Sequence, residues 1–252
     1  MKILALSDFH GKEEIWTDFF NAVKNLDFDL VIFTGDILKW RIKCTEWAEA
    51  KKEKRMPDKN KPEIKEEIDE NTNIYWKFYL QIAKLNRPTV LIPGNVDSPI
   101  SQYLKVATEA MKNPNIHIVH HSFFVFNDSV IAGFGGEITE EDKEDFFVLQ
   151  YPRWETEYGL KFLSNFNQQK ILLFHTPPVG KLDLDNGKHK GSAVINDIIQ
   201  KYKPSLAFCG HAHKSHGEDE IEQTKVVNPG ALKDRFYAFV DTETQKVMFR
   251  QF

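Results

Sequence analysis

Short apolar runs separated by helical patterns predict an α/β fold. Five of these runs are predicted to be buried strands: KILALS (2–7), DLVIFT (29–34), PTVLIP (88–93), KILLFH (170–175) and SLAFCG (205–210). Between the first two runs, Ile15, Phe19 and Val23 recur at helical spacing, which predicts an amphipathic helix packed on the first strand. Strands that alternate with helices in this way are typical of an α/β protein.

Two later stretches alternate apolar and polar residues more strictly. The stretch HIVHHSFFVFNDSVIAGFGG (117–136) predicts two strands around an Asn-Asp-Ser turn, and FYAFVDTETQKVMFRQF (236–252) predicts a C-terminal pair. Because such alternation favours antiparallel pairing, we expect one mixed sheet or two sheets.

The segment 43–73, which begins KCTEWAEAKKEKRM, is dense in Lys and Glu and contains few apolar residues. This composition favours a solvated helical hairpin or a mobile loop. The alternative is a lid over a site, since the segment follows the strand that ends at Gly35-Asp36. We therefore expect one domain over 1–252, with a charged helical or mobile insertion at about 43–73.

Composition argues against several classes of protein, although a local basic pocket for nucleic acid stays open. With 41% hydrophobic residues, 28% charged residues and a formal charge of −4, the chain has no general basic character that would attract nucleic acid or an anionic membrane. No apolar stretch approaches the roughly 20 residues that span a bilayer, and the short apolar run at the N-terminus lacks the length of a signal peptide. Cys44 and Cys209 do not form a Cys-x-x-Cys motif. We expect a cytoplasmic protein without a disulfide framework, and its oligomeric state stays open.

Polar residues follow each of the five predicted strands, in SDFH, GD, GNVD, HTPP and GHAH. In open α/β sheets, side chains at the carboxyl ends of parallel strands converge on one ligand site. The residues at these ends that can bind a metal are Asp8, His10, Asp36, Asn95, His175, His211 and His213. The sequence therefore predicts a metal site built from five separate strand ends.

The chemistry of this set indicates two ions. Asp8 and His10, like His211 and His213, are two residues apart, so on extended backbone each pair points the same way. Oxygen and imidazole ligands without thiolate suit manganese, iron, zinc or nickel. Seven groups are too many for one ion with an open substrate position, and two divalent ions would leave a net positive site that favours a phosphate ester.

The ordered motifs Asp-x-His, Gly-Asp, Gly-Asn, His and Gly-His-x-His resemble those of the calcineurin-like metallophosphoesterase superfamily, in particular its small single-domain bacterial and archaeal members. The motifs run from Asp8 to His213 and so cover most of the chain. The resemblance implies an α/β (α+β) fold, a four-layer α-β-β-α sandwich. Two mixed sheets would face each other with helices outside, and the metal site would lie at the C-terminal ends of the strands.

The resemblance also implies which residues bind each ion. The first ion would be held by Asp8, His10, Asp36 and His213, and the second by Asp36, Asn95, His175 and His211. Asp36 would bridge the two ions. A hydroxide between them would attack the phosphorus of a small-molecule or nucleotide phosphate ester, with phosphodiesters preferred.

One position departs from the family pattern. Many members have a histidine after the asparagine, where this chain has Val96. His216 or His189 could replace it from a loop. The predicted catalytic residues are Asn95, whose amide could donate to a phosphate oxygen, and Asp97, which either supports a metal ligand by a hydrogen bond or caps the next helix.

Other functions stay open at this point. Val96 is also compatible with a weak or inactive member that serves as a scaffold for a protein partner, and the same metals would serve a phosphomonoesterase or a nucleotide pyrophosphatase. His117, His120 and His121 fall in a predicted edge strand with no acidic partner nearby in sequence, so we interpret them as structural.

Overall fold

The computed structural model describes all residues 1–252 and contains sixteen strands and six α-helices. The strands are β1 (Lys2–Leu6), β2 (Leu30–Phe33), β3 (Thr89–Leu91), β4 (Ile116–Ile118), β5 (Ser122–Phe126), β6 (Ser129–Phe134), β7 (Glu137–Thr139), β8 (Gln150–Pro152), β9 (Gln169–Phe174), β10 (Leu184–Asp185), β11 (Lys188–His189), β12 (Leu206–Phe208), β13 (Gly217–Ile221), β14 (Thr224–Asn228), β15 (Phe236–Asp241) and β16 (Lys246–Gln251). The α-helices are α1 (Trp16–Val23), α2 (Ile42–Glu53), α3 (Pro62–Ala83), α4 (Ile100–Ala110), α5 (Arg153–Gly159) and α6 (Ala193–Tyr202).

Most strands belong to two six-stranded sheets. The first has the order β16-β15-β1-β2-β3-β4 and the second the order β13-β14-β12-β9-β6-β5. Strands β1 to β4 are parallel, as are β6, β9, β12 and β14, while the remaining outer strands pair antiparallel. Both sheets are therefore mixed. The predicted ligands follow the carboxyl ends of parallel strands in the two sheets, namely β1, β2, β3, β9 and β12.

Alternating side chains on the central strands create four layers. On β1, Ile3 and Ala5 face a core of 15 buried residues drawn from both sheets, while Leu4 lies in a separate core of 28 residues with α1, α3 and α4. On β9, Leu173 joins the core between the sheets, while Leu172 packs in a third core with α6. A strand buried on both faces must be apolar throughout, which explains the continuous apolar runs. The predicted α-β-β-α sandwich is confirmed.

The stretch 117–136 was only partly predicted. It does contain the hairpin of β5 and β6, but it begins within β4, which pairs with β3 in the other sheet. The two strands predicted around the Asn-Asp-Ser turn are confirmed as β5 and β6, but the predicted start at His117 was too early, because the chain crosses between the sheets at His120 and His121. The hairpin of β13 and β14 was not predicted, since GEDEI on β13 is largely charged and lies at a sheet edge.

The charged segment at 43–73 is helical over most of its length, as parts of α2 and α3. Although its outer face is polar, it also buries Cys44 and Ile64. The hairpin alternative therefore describes this segment, and the loop alternative does not. None of the helices is both long and apolar enough to cross a bilayer. Cys44 and Cys209 are both buried free thiols.

Candidate metal centre

The seven side chains at the strand ends meet between the two sheets. Their acidic and histidine side chains form two compact groups, in each of which one carboxylate oxygen or ring nitrogen from every residue lies within 4.8 Å of the others. The first group contains Asp8, His10, Asp36 and His213, and the second contains Asp36, His175 and His211. Asp36 belongs to both groups. Asn95, which contributes an amide oxygen, lies beside the second.

In the first group, two imidazoles face the same carboxylates. Nε2 of His10 lies 3.1 Å from Nε2 of His213, and 3.6 Å from both Oδ1 of Asp8 and Oδ2 of Asp36. Nδ1 of His10 donates to the carbonyl of Leu38 at 2.8 Å, which leaves Nε2 directed toward the group. A carbonyl partner on the outer nitrogen is a common arrangement for histidines that bind metals.

Beside the second group, two imidazoles converge on the amide oxygen of Asn95. Nε2 of His175 lies 3.0 Å from Oδ1 of Asn95 and 3.3 Å from Oδ2 of Asp36, and Nδ1 of His211 lies 3.1 Å from Oδ1 of Asn95. Nδ1 of His175 donates to the carbonyl of Thr34 at 2.8 Å. Again the outer nitrogen is fixed by the backbone and the inner nitrogen faces the other ligands.

Burial and neighbouring charges shift the pKa values of Asp36 and His175 in opposite directions, and the charges dominate. Burial tends to raise the pKa of Asp36, but the positive charge of His175 outweighs it and lowers that pKa to about 2. Burial tends to lower the pKa of His175, but Asp36 raises it to about 9. Burial and the neighbouring His175 lower the pKa of His211 to about 3, so His211 is neutral. Neutral imidazole is the form that binds a metal.

The donor set fits divalent cations. If His10 and His175 are neutral, their inner nitrogens present lone pairs to other acceptors at 3.0–3.6 Å, an arrangement that needs a proton or a cation between them. Buried Nε2 of His211 also has no hydrogen-bond partner in the protein. Carboxylate, amide and imidazole ligands without cysteine suit transition metals such as manganese, iron or zinc.

The backbone at the site adopts conformations that most residues avoid. Asp8, His10, Asp36 and His211 all have positive φ angles of 49–65°. Left-handed backbone at a non-glycine residue costs on the order of 1 kcal/mol, and such strain concentrates at functional sites. At Gly94, a Cβ atom would lie 2.0 Å from Oδ1 of Asp36, so only glycine allows the two loops to approach.

Asp97 supports the loop that carries Asp36. Its fully buried carboxylate accepts hydrogen bonds from the backbone N–H groups of Asp36 (2.9 Å), Ile37 (3.2 Å), Leu38 (3.0 Å) and Gly94 (2.8 Å). Helix α4 has Pro99 at its N-cap and no side-chain cap, so Asp97 does not serve as the cap. Of the two roles left open by the sequence, the structure shows hydrogen bonds to the loop that carries Asp36, a predicted metal ligand, and no helix cap.

Val96 contributes through its backbone. Its side chain lies in the core beneath the first sheet, while its N–H donates to Oδ1 of Asp36 at 3.0 Å. Its carbonyl accepts a hydrogen bond at 3.1 Å from Nζ of Lys43, which is completely buried. Lys43 was missed in the sequence because nothing distinguishes it from the many other lysines of the charged segment.

The remaining histidines lie apart from the two ligand groups. His216 stacks on Phe236 with ring centroids 4.4 Å apart, and the exposed His189 contacts Asp183 at 2.9 Å. His121 stacks on Phe134, and half-buried His120 accepts the N–H of Gly135, while His117 lies on edge strand β4. None of the five belongs to either ligand group.

Comparison with known proteins identifies the family. The family model described as metallophosphoesterase, calcineurin superfamily, matches residues 1–252. The chain belongs to the calcineurin superfamily of metallophosphoesterases, and the resemblance carried by the ordered motifs is confirmed. Its class is that of metal-dependent phosphoesterases.

Solved structures agree with this assignment. One crystal structure, 32% identical, superposes with a TM-score of 0.93 and covers 100% of this chain and 98% of its own. The crystal structure of TT1561 of Thermus thermophilus is 25% identical, with a TM-score of 0.78 and coverage of 99% and 98%. The structure of a novel archaeal phosphodiesterase is 14% identical, with a TM-score of 0.52 over 100% of both chains, and is similar in fold alone.

Similarity to curated proteins is more local. The uncharacterized protein MJ1162 of Methanocaldococcus jannaschii is 36% identical over 88 residues, which are 32% of this chain and 39% of that protein. The matched region therefore spans less than half of this curated relative.

Proposed function

We propose that this protein is a dinuclear metal-dependent phosphoesterase that hydrolyses phosphodiesters. The observation that carries the proposal is the pair of ligand groups that share the carboxylate of Asp36. A carboxylate common to two groups is the natural bridge between two cations. When bound, the two ions would supply an activated water and positive charge for the phosphoryl oxygens.

The side chains of the site would bind the ions, contact the phosphate and hold Asp36 in position. Asp8, His10, Asp36 and His213 would hold one ion, and Asp36, Asn95, His175 and His211 the other. Only two of these seven ligands are anionic, so a site with two divalent ions would keep a net positive charge and attract a phosphate ester. The amide N–H₂ of Asn95 could donate to a phosphate oxygen, and Asp97 would hold the bridging carboxylate in place through the backbone.

Val96 supports a preference for esters with stable leaving groups. Because its side chain is buried in an apolar core, position 96 provides no acid that could protonate a leaving oxygen. Esters whose leaving group is stable as an anion, such as aryl esters, depend least on such an acid. We therefore expect aryl phosphodiesters to be good substrates.

The test compares bis(para-nitrophenyl) phosphate with para-nitrophenyl phosphate, in the presence of manganese and in the presence of chelator. We expect hydrolysis that requires metal and favours the diester. A preference for the monoester would overturn the diester assignment. Absence of turnover by folded, metal-loaded protein would overturn the proposed activity.

A further inference from the structure

A pocket of about 230 Å³ borders the metal centre and is not explained by metal binding. Asn95 and His211 line it on the side of the ligand groups. Trp40, Trp47, Lys51 and Lys190 are among the residues that form its other walls. A phosphate bound at the metals would therefore carry one of its substituents into a pocket with two indole rings.

Both tryptophans are held in place, Trp40 on the surface and Trp47 half-buried against the core of 28 residues. Trp40 lies between β2 and α2 and is 47% exposed, while its indole N–H donates to Oγ1 of Thr45 at 3.1 Å. Trp47 lies on α2, where Nζ of Lys51 sits 4.9 Å from its ring centroid. Preorganised aromatic surfaces of this kind bind planar groups at a low cost in conformational entropy.

The charges of the pocket nearly cancel. Lys51 forms an ion pair with Glu141, and Lys190 shares the pocket with Glu137. Apart from the metal centre, the walls therefore offer aromatic surface and balanced polar groups, with no excess of positive charge for a second phosphate. Such a pocket matches an uncharged planar group better than a polyphosphate chain.

We propose that this pocket binds the nucleobase of a nucleoside phosphate ester by stacking on Trp40 and Trp47. The proposal rests on the proposed phosphoesterase function and names its substrate class. A neighbouring pocket of about 590 Å³ shares Trp47, Lys51, Glu141 and Gln150, so the groove continues beyond the first ring. It leaves space for the second substituent of a nucleoside phosphodiester.

The main experiment compares two ligands that differ only in the base, adenosine monophosphate and ribose phosphate. Their binding is measured by calorimetry with manganese-loaded protein. We expect the base to strengthen binding by roughly 10- to 100-fold, the range typical of a base stacked on an aromatic side chain. Trp40→Leu and Trp47→Leu should each remove most of this difference and leave ribose phosphate binding within about threefold.

Two further variants serve as controls. Trp154→Leu changes a tryptophan that is 65% exposed on α5 and does not line the pocket, so it should retain the full difference. Trp40→Phe keeps an aromatic ring and should retain most of it. Equal affinities of the wild type for the two ligands, or equal losses for both ligands in Trp40→Leu and Trp47→Leu, would overturn the proposal.

Hydrolysis of the para-nitrophenyl ester of thymidine monophosphate and of methyl para-nitrophenyl phosphate gives a separate measurement. Hydrolysis of both esters at equal efficiency would overturn the pocket proposal and leave the phosphoesterase proposal unaffected. Base-dependent binding without any hydrolysis would overturn the phosphoesterase proposal and leave nucleobase binding in the pocket unaffected. A loss of efficiency in Trp40→Leu that is confined to the thymidine ester supports both.

Discussion

Nε2 of His175 lies 3.0 Å from Oδ1 of Asn95, and an amide oxygen can only accept a hydrogen bond. The contact is favourable only if His175 carries a proton on Nε2 or if a cation lies between the two atoms. In the metal-free protein a proton takes this place, because Asp36 raises the pKa of His175 to about 9 despite burial. A metal that binds at this site would therefore compete with a proton.

This competition predicts that metal affinity depends on pH. Since His175 must lose its proton to bind a metal, the affinity of the second group should rise by about tenfold per pH unit from neutral pH to about 9. Above this pKa the dependence should flatten. Calorimetric titration with manganese in buffers of different ionisation enthalpy would measure both the affinity and the protons released. Affinity that is constant over this range would contradict the prediction.

Asp36→Asn tests the shared carboxylate. The substitution keeps the shape of the side chain but removes the negative charge common to both ligand groups. We expect hydrolysis of bis(para-nitrophenyl) phosphate to fall by several orders of magnitude, since metal binding and charge stabilisation are both weakened. His121→Ala is the matched control, because His121 packs against Phe134 and belongs to neither group. Equal losses in the two variants would mean that the site is elsewhere.

The positions of the candidate ligands could be located from sequence because each lies at the end of a continuous apolar run or within a few residues after it. Local pattern located the strands, and the rule that parallel strands end together located the site. The crossing of the chain between sheets at His120 and His121 had no comparable signal, because strand partners are chosen by tertiary contacts. The same holds for Lys43 and Trp40, whose surroundings depend on how α2 packs against loops distant in sequence.

Asp97 should contribute to stability and to metal binding together. Asp97→Ala would leave four buried backbone N–H groups without an acceptor, which we expect to lower the free energy of unfolding by at least about 3 kcal/mol. Asp97→Asn keeps one acceptor oxygen and should cost less, because Oδ2 alone accepts three of the four bonds. Urea unfolding and manganese titration of both variants would check this order. Manganese affinity equal to wild type in a folded Asp97→Ala protein would show that Asp97 does not position Asp36.

Metal removal should destabilise the fold. A ligand present at 100 times its dissociation constant stabilises the native state by about 2.7 kcal/mol, which corresponds to roughly 5–10 °C in melting temperature for a chain of this size. We therefore expect the melting temperature to fall by this amount when chelator replaces excess manganese. Asp36→Asn should show a much smaller change between the two conditions. An unchanged melting temperature in the wild type would argue against metal binding at the site.

The buried pair of Lys43 and Glu67 connects the charged helices to the metal centre. Nζ of Lys43 lies 3.9 Å from Oε1 of Glu67 and donates to the carbonyl of Val96, directly after Asn95. Lys43→Met should lower the free energy of unfolding by about 3–5 kcal/mol, because it leaves a buried carboxylate without its partner. Adding Glu67→Gln, which keeps an acceptor for the backbone N–H of Lys43, should recover part of that loss in a double-mutant cycle. Additive losses in unfolding free energy would show that the two charges are not coupled.

The double variant should still bind manganese more weakly than the wild type, since the carbonyl of Val96 has lost its donor. Manganese affinity equal to that of the wild type would show that Lys43 does not support the Asn95 loop.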